Sequence, residues 1–333
     1  MRAWRAPKRS RALALGLVLM AGVVTACGGD TASKAARDAN GSAAGDSASH
    51  TSPASAMVAG DSLDDFGAAV TPVAANARVV SLNPTATEVL FALGVQQQLV
   101  GRSDYDEFPA EAKLLPALGN GIKPNVEAVL AARPALVVLY ATADNRLAAD
   151  AFARAGVRVL ALRGDRIEGF HRLVRILGTT LGASEAARVL SDSVAATLDT
   201  VRARVARNVP NASRPAVLWP VWPTPPMVIG QGSYLHELLE IAGARNVFAD
   251  LPAPSPQAHI EEVLRRAPDR VVSSRTRADE LQASPVWRSV PAVARGQFVL
   301  IDPALTLRPS VQLGMAASAL ARALHPALAD PLP

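Results

Sequence analysis

Asn125-Val-Glu-Ala-Val-Leu-Ala-Ala-Arg-Pro-Ala-Leu-Val-Val138 aligns without a gap on His259-Ile-Glu-Glu-Val-Leu-Arg-Arg-Ala-Pro-Asp-Arg-Val-Val272. The offset is 134 residues, and six of the fourteen positions are identical, among them Glu127 against Glu261. Each copy reads as a short helix, a proline break and an apolar strand. A second match lies upstream at an offset of 149, setting Val79-Val80 on Val228-Ile229 and Glu88-Val-Leu-Phe-Ala-Leu-Gly94 on Glu237-Leu-Leu-Glu-Ile-Ala-Gly243. Strand, helix, helix and strand repeated in one order predict two similar lobes, and a cleft between them is the place to look for function.

Around these repeats, short apolar runs alternate with helical patterns. Arg78 to Leu82 reads as a buried strand, followed by Thr85-Ala-Thr-Glu88 as a capping box and by Gly94 as a helix stop. Leu136–Tyr140 and Val157–Ala161 read as further strands, with an amphipathic helix from Asp144 to Ala155 between them. Such alternation predicts α/β lobes with mostly parallel sheets. The pattern changes after residue 166. Ile167–Leu181 and Ser184 to about Asn208 are successive helices, the second with Ser184 as its expected N-cap. At about 36 Å that helix is long enough to run from one lobe to the other, leaving room for only small closure. The expected organisation is an N-terminal lobe over 77–166, a helical region over 167–208 and a C-terminal lobe over 209–328.

The chain ahead of the lobes has another character. Residues 1–26 hold a basic start and the apolar run Ala12–Val24, too short for a permanent membrane span, and they end in Val24-Thr25-Ala26-Cys27. This reads as a lipoprotein signal with Cys27 as the lipidation site; an ordinary secretory signal with a chance cysteine is the alternative. Cys27 is the only cysteine, so no intramolecular disulfide is available. Residues 27–76 are rich in Ala, Gly, Ser, Thr and Asp and are expected to form a disordered tether. The expected location is therefore extracytoplasmic, on a membrane through acyl chains.

Composition excludes several functions. The whole chain carries a net charge of +5, but its leader holds five basic residues and no acid, so the chain from Cys27 onward carries 29 of each sign. Nothing in that balance calls for nucleic acid. Gly230-Gln-Gly-Ser-Tyr234 is not a nucleophile elbow, and no phosphate-cradling lysine loop occurs, so no enzyme is expected. Ser233 reads as a helix N-cap. His236 and His259 lack metal-ligand spacing, and neither a metal nor a cofactor is expected.

Arg78-Val-Val-Ser-Leu-Asn-Pro-Thr-Ala-Thr-Glu88, Asp104-Tyr-Asp-Glu-Phe-Pro109, Asn125-Val-Glu127 through Pro134, Gly243-Ala-Arg-Asn-Val-Phe-Ala-Asp250 and Arg308-Pro309 together resemble one family. It is the family of periplasmic binding proteins of ABC importers for cobalamin, haem and ferric siderophores, the helical-backbone metal receptors or class III fold, with the cobalamin branch nearest. The resemblance spans about residues 77 to 326. It implies a monomeric receptor that passes a metal-chelate ligand to a permease dimer with its cytoplasmic ATPase.

In this family one glutamate on each lobe docks on permease arginines, which assigns that role to Glu127 and Glu261. Each acid also stands in the first turn of its helix, where complementing the dipole would explain it. Strand ends and helix starts nominate Asn83, Pro84, Thr85, Tyr105, Tyr140, Trp222, Gln231 and Arg308 for the ligand, against packing beneath loops. The expected ligand is a corrinoid first and a ferric siderophore second. Haem-carrying relatives place a tyrosine where this chain has Asn120. A sensor or scaffold that kept the fold but lost transport is the remaining alternative.

Overall fold

The computed structural model describes residues 61–328. The expected signal at 1–26, Cys27 and the tether as far as residue 60 lie outside them.

The first half runs β1 (Val79–Leu82), α1 (Pro84–Ala92), β2 (Leu99–Gly101), α2 (Val126–Ala131), β3 (Leu136–Tyr140), α3 (Ala143–Arg154) and β4 (Arg158–Leu162). Two helices follow, α4 (Ile167–Thr180) and α5 (Ser184–Asn208). The second half begins with β5 (Ala216–Leu218), β6 (Pro220–Pro223), β7 (Pro226–Val228), α6 (Tyr234–Ile241) and β8 (Arg245–Asn246). It ends with α7 (Ile260–Arg266), β9 (Arg270–Ser273), α8 (Arg275–Ala283), α9 (Pro291–Ala294), β10 (Phe298–Leu300) and α10 (Leu313–Leu324).

Two four-stranded sheets share one topology, β2-β1-β3-β4 in the first half and β8-β5-β9-β10 in the second, and every pair in them is parallel. The duplication extends to single residues. Arg133 and Ala267, at the 134-residue offset, both take positive φ, 48° and 44°, just before a proline. Gly94 and Gly243, at the 149-residue offset, both stop their helices at positive φ, 73° and 81°, where glycine carries no Cβ penalty.

One expected match fails. Val228-Ile229 is not the second copy of β1, because Val228 belongs to an antiparallel hairpin of β6 with β7. Register sets β1 on β5 instead, and the hairpin is an insertion carried by the second half alone. A three-residue apolar run before a glycine fits either arrangement, and only pairing distinguishes them.

Alternation along each strand divides the core. Val79, Leu136 and Val138 face a large cluster, while Val80, Leu82, Val137 and Leu139 face a smaller one beneath α2 and α3. The large cluster is shared by both lobes. It joins Leu90 and Phe170 to Val217, Leu239, Val272 and Leu320, with Val194, Leu198, Val201 and Val205 of α5 between them. At 25 residues α5 spans about 37 Å. It packs on α4, α6 and α10, and glycines permit the closest approaches. A Cβ at Gly178 would lie 2.4 Å from the Ala187 Cβ, and one at Gly314 would lie 2.3 Å from the Thr197 Cγ2. The expected cap differs by one residue: Ala183 precedes the helix and Ser184 is already inside it.

The expected tether also ends earlier than residue 76. Residues 61–70 fold against the open edge of β4. Asp64 is buried and accepts from Phe66 N, Ala68 N and Ala161 N at 2.8–2.9 Å, while Asp65 N donates to Ala161 O at 2.9 Å. Asp61 pairs with Arg175 at 2.8 Å and Val70 enters the shared core. The segment thus covers unpaired groups of an edge strand, a contact that composition does not reveal.

Candidate functional site

A cavity of about 690 Å³ opens between the lobes at the carboxyl ends of the strands, where ligands meet open α/β sheets. The N-terminal lobe contributes the turn at Asn83–Thr85, then Tyr140 and Thr142, then Arg163 to Asp165. The C-terminal lobe contributes Trp219 to Val221, the start of α6, Ser273, Ser274 and Arg277, and the chain around Thr306 to Pro309.

Local chemistry fixes these groups. Asn83, not Thr85, caps α1, since its side chain accepts from Ala86 N at 3.3 Å and donates to Leu162 O at 3.2 Å. Pro84 follows at the first helical position, whose φ proline already favours. Thr85 is therefore released from capping, and its hydroxyl donates across the cleft to Pro309 O at 2.8 Å.

Glu88 is likewise not part of a capping box. It is buried and accepts from Arg308 of the opposite lobe. Burial pushes its carboxyl up to about 7, the Arg308 charge and the Ser310 hydroxyl only partly opposing this. Burial also lifts the neighbouring Asp106 to about 6, against the Ser103 N–H that it accepts at 2.6 Å. The repeat of Glu88 behaves alike. Glu237 on α6 accepts from Arg166 Nε and Nη2 at 2.9 and 2.7 Å and from Ile167 N at 2.7 Å. Each lobe thus presents a glutamate of its first long helix to an arginine arriving from the other.

Two phenols border the cavity, and both spend their protons. The Tyr140 hydroxyl donates to Asp165, and the Tyr234 hydroxyl donates to Thr306 O at 2.6 Å. Burial raises both phenols above their ordinary range, and for Tyr140 the Asp165 carboxylate raises it further. Among the described residues lining the cavity there is no histidine, methionine or cysteine. No cluster of metal-ligating side chains occurs elsewhere among the described residues.

Asn83, Pro84, Thr85, Tyr140 and Arg308 therefore meet at one cavity, and three other expected residues do not line it. Tyr105 is 57% exposed, with its hydroxyl accepting from Asn120 at 3.2 Å. Trp222 stands on the inserted hairpin, 53% exposed, with the Arg277 guanidinium 5.7 Å from its ring. Gln231 lies on the lobe seam, where its carbonyl accepts from Arg166 at 3.2 Å. Arg163, Asp165, Trp219, Tyr234 and Arg277 line the cavity instead. Trp219 and Tyr234 sit in stretches that strand-end reasoning reached; Arg163 and Asp165 directly follow the carboxyl end of β4, which the same reasoning could have found, and Arg277 lies in the first turn of α8. His236 is buried on α6 beside Asn246 and Glu240, and His259 is exposed at the start of α7. Glu127 and Glu261 occupy matching first turns of α2 and α7, and both are exposed.

Known proteins share this arrangement. The periplasmic binding protein family model matches residues 79–305. A vitamin B12-binding protein of Yersinia pestis is 29% identical over 227 residues, covering 67% of this chain and 79% of its own. The structure of the periplasmic haem-binding protein BhuT with two haems superposes with a TM-score of 0.67 at 26% identity, over 76% of this chain and 99% of that one. The vitamin B12-binding protein BtuF of Vibrio cholerae superposes at 0.63 and 23% identity, over 76% and 98%. With one topology repeated on both sides of a single cleft, and with that match across both halves, the chain belongs to the periplasmic binding protein family.

Proposed function

We propose that this protein is the extracytoplasmic, lipid-anchored substrate-binding subunit of an ABC importer and that its cleft takes a corrinoid. One observation carries the ligand class: among the described residues that line it, the cavity offers no free axial donor to a metal. Haem iron takes such a donor from the protein, commonly histidine, methionine, cysteine or tyrosinate. Both tyrosines here keep their protons in hydrogen bonds, beside acceptors that oppose ionisation. A corrinoid brings its cobalt already coordinated, so it asks the cleft for flat apolar contact and peripheral hydrogen bonds. Trp219, Pro84, Pro220 and Pro309 supply the first, and Arg163, Arg277 and Thr142 lie where they could supply the second. The vitamin B12-binding relative supports the same reading.

Delivery requires a permease. Glu127 and Glu261 stand exposed at equivalent places on the two lobes, as a two-fold permease dimer with its ATPase would require of a pair of docking carboxylates. A thermal-shift panel of cobalamin, cobinamide, haem and ferric siderophores tests the ligand. Cobalamin or cobinamide at 100 times its dissociation constant adds about 2.7 kcal/mol to stability. A shift with haem alone overturns the corrinoid reading, and one with siderophores alone transfers the cleft to ferric chelates.

A further inference from the structure

At the other end of the N-terminal lobe, beneath the amino ends of its strands, lies a second cavity of about 500 Å³. Arg78 stands just before β1, Arg133 just before β3 and Arg158 at the first position of β4, and these three strands are neighbours in the sheet. None of the ten residues lining the cavity is acidic, and among the described residues none of the three arginines makes an ion pair. Arg78 donates to Ala132 O at 2.8 Å and Arg158 to Pro72 O at 2.8 Å, and both side chains line the cavity. Chain 72–77 forms the opposite wall.

The duplicated half provides an internal control. Register and repeat offsets set Arg78 on Ala216, Arg133 on Ala267 and Arg158 on Gln297. The second lobe keeps the same sheet, and even the positive φ at Ala267, without any of the three charges. The second lobe carries arginines of its own at the amino ends of its strands, Arg245 on β8 and Arg270 on β9, but none at these three positions. At that end of the second lobe an acid, Asp269, accepts from Ala216 N at 2.7 Å. Three exposed guanidiniums line this cavity without a carboxylate, and guanidinium forks match the several acceptor oxygens of a phosphate group.

We propose that this cavity is a phosphate-binding site, filled either by a phospholipid headgroup or by a free phosphate species. It is separate from the ligand cleft, which lies at the opposite ends of the same strands. Calorimetric titration of the intact chain tests it at fixed ionic strength. The probes are inorganic phosphate and dihexanoylphosphatidylglycerol below its micelle concentration, with chloride and dihexanoylphosphatidylcholine as references. Arg133→Ala is the decisive variant, because Ala267 shows that alanine holds this backbone conformation. Wild type should bind at least one phosphate probe better than its reference, and R133A should weaken that binding at least fivefold with an unchanged melting temperature. Tighter binding of the lipid than of phosphate identifies a headgroup, and the reverse identifies the free anion. Failure of both probes to exceed their references, or equal binding by R133A, overturns the site.

Discussion

Glu88 accepts a hydrogen bond from Arg308, 220 residues away in the chain and on the other lobe. The carboxylate is buried, while the arginine borders the ligand cavity. The matching contact between Glu237 and Arg166 lies nearer to solvent, with side-chain exposures of 20% and 48% against 1% and 17%. Duplication has thus placed one bridge near the surface and the other in the interior.

Burial lifts Glu88 from 4.5 to about 7. The unfolded carboxyl gives up its proton near pH 4.5, whereas the folded one keeps it to about pH 7. Between these values the native state binds more protons, so stability falls as pH rises. Glu88→Gln mimics the protonated form. The variant should match wild type near pH 4.5 and exceed it by about 3 kcal/mol above pH 7. Urea unfolding of both proteins across this range checks it; a difference that does not vary with pH counts against the buried charge.

Gly94 and Gly243 share a conformation but not surroundings. A Cβ at Gly94 meets nothing within 4 Å, while one at Gly243 would lie 2.7 Å from Val205 Cγ1 and 2.9 Å from His325 Nε2. Gly94→Ala should cost about 1 kcal/mol, from positive φ alone. Gly243→Ala adds overpacking and should cost about 2–4 kcal/mol in the same denaturation assay.

Asp64 holds three backbone N–H groups, one of them on β4. Asp64→Ala strands these donors and should destabilise the protein by about 2–3 kcal/mol. Hydrogen exchange should then accelerate at Ala161 and Arg163, which residues 64 and 65 protect, more than at Val138 in the middle of the sheet.

Charge reversal at Glu127 and Glu261 should leave ligand binding unchanged, since neither lines the cavity. Uptake by cells carrying the double E127K/E261K variant should fall at least tenfold, and each single variant should fall less. Undiminished uptake would place permease recognition elsewhere.

Local and repeated signals were legible in the chain; long-range ones were not. The 134-residue repeat, the parallel α/β halves and the span of α5 follow from periodicity and from turn residues that act within a few positions. Glu88 was misread because Thr85 and Glu88 have capping-box spacing, yet Asn83-Pro84 begins the helix earlier and frees both side chains for partners more than 200 residues away. Residues 61–70 read as tether because they continue a long stretch of small and polar residues in which Phe66 and Val70, which pack on the core, are isolated apolar positions. Their attachment rests on carboxylates that find β4 and α4. Tyr105 and Gln231 lie near strand ends, as expected, while Trp222 belongs to β6 and not to a loop; whether such a residue turns toward a cleft depends on the opposing lobe.

The common apolar interior running from Leu90 through α5 to Leu320 makes the halves thermodynamically inseparable. Pulling either sheet away would bare side chains that the other half now covers, so heat should melt the body in one calorimetric transition, not two. A fragment cut after β4 would lack the apolar wall formed by α4 and α5, and it should collapse without a fixed tertiary structure.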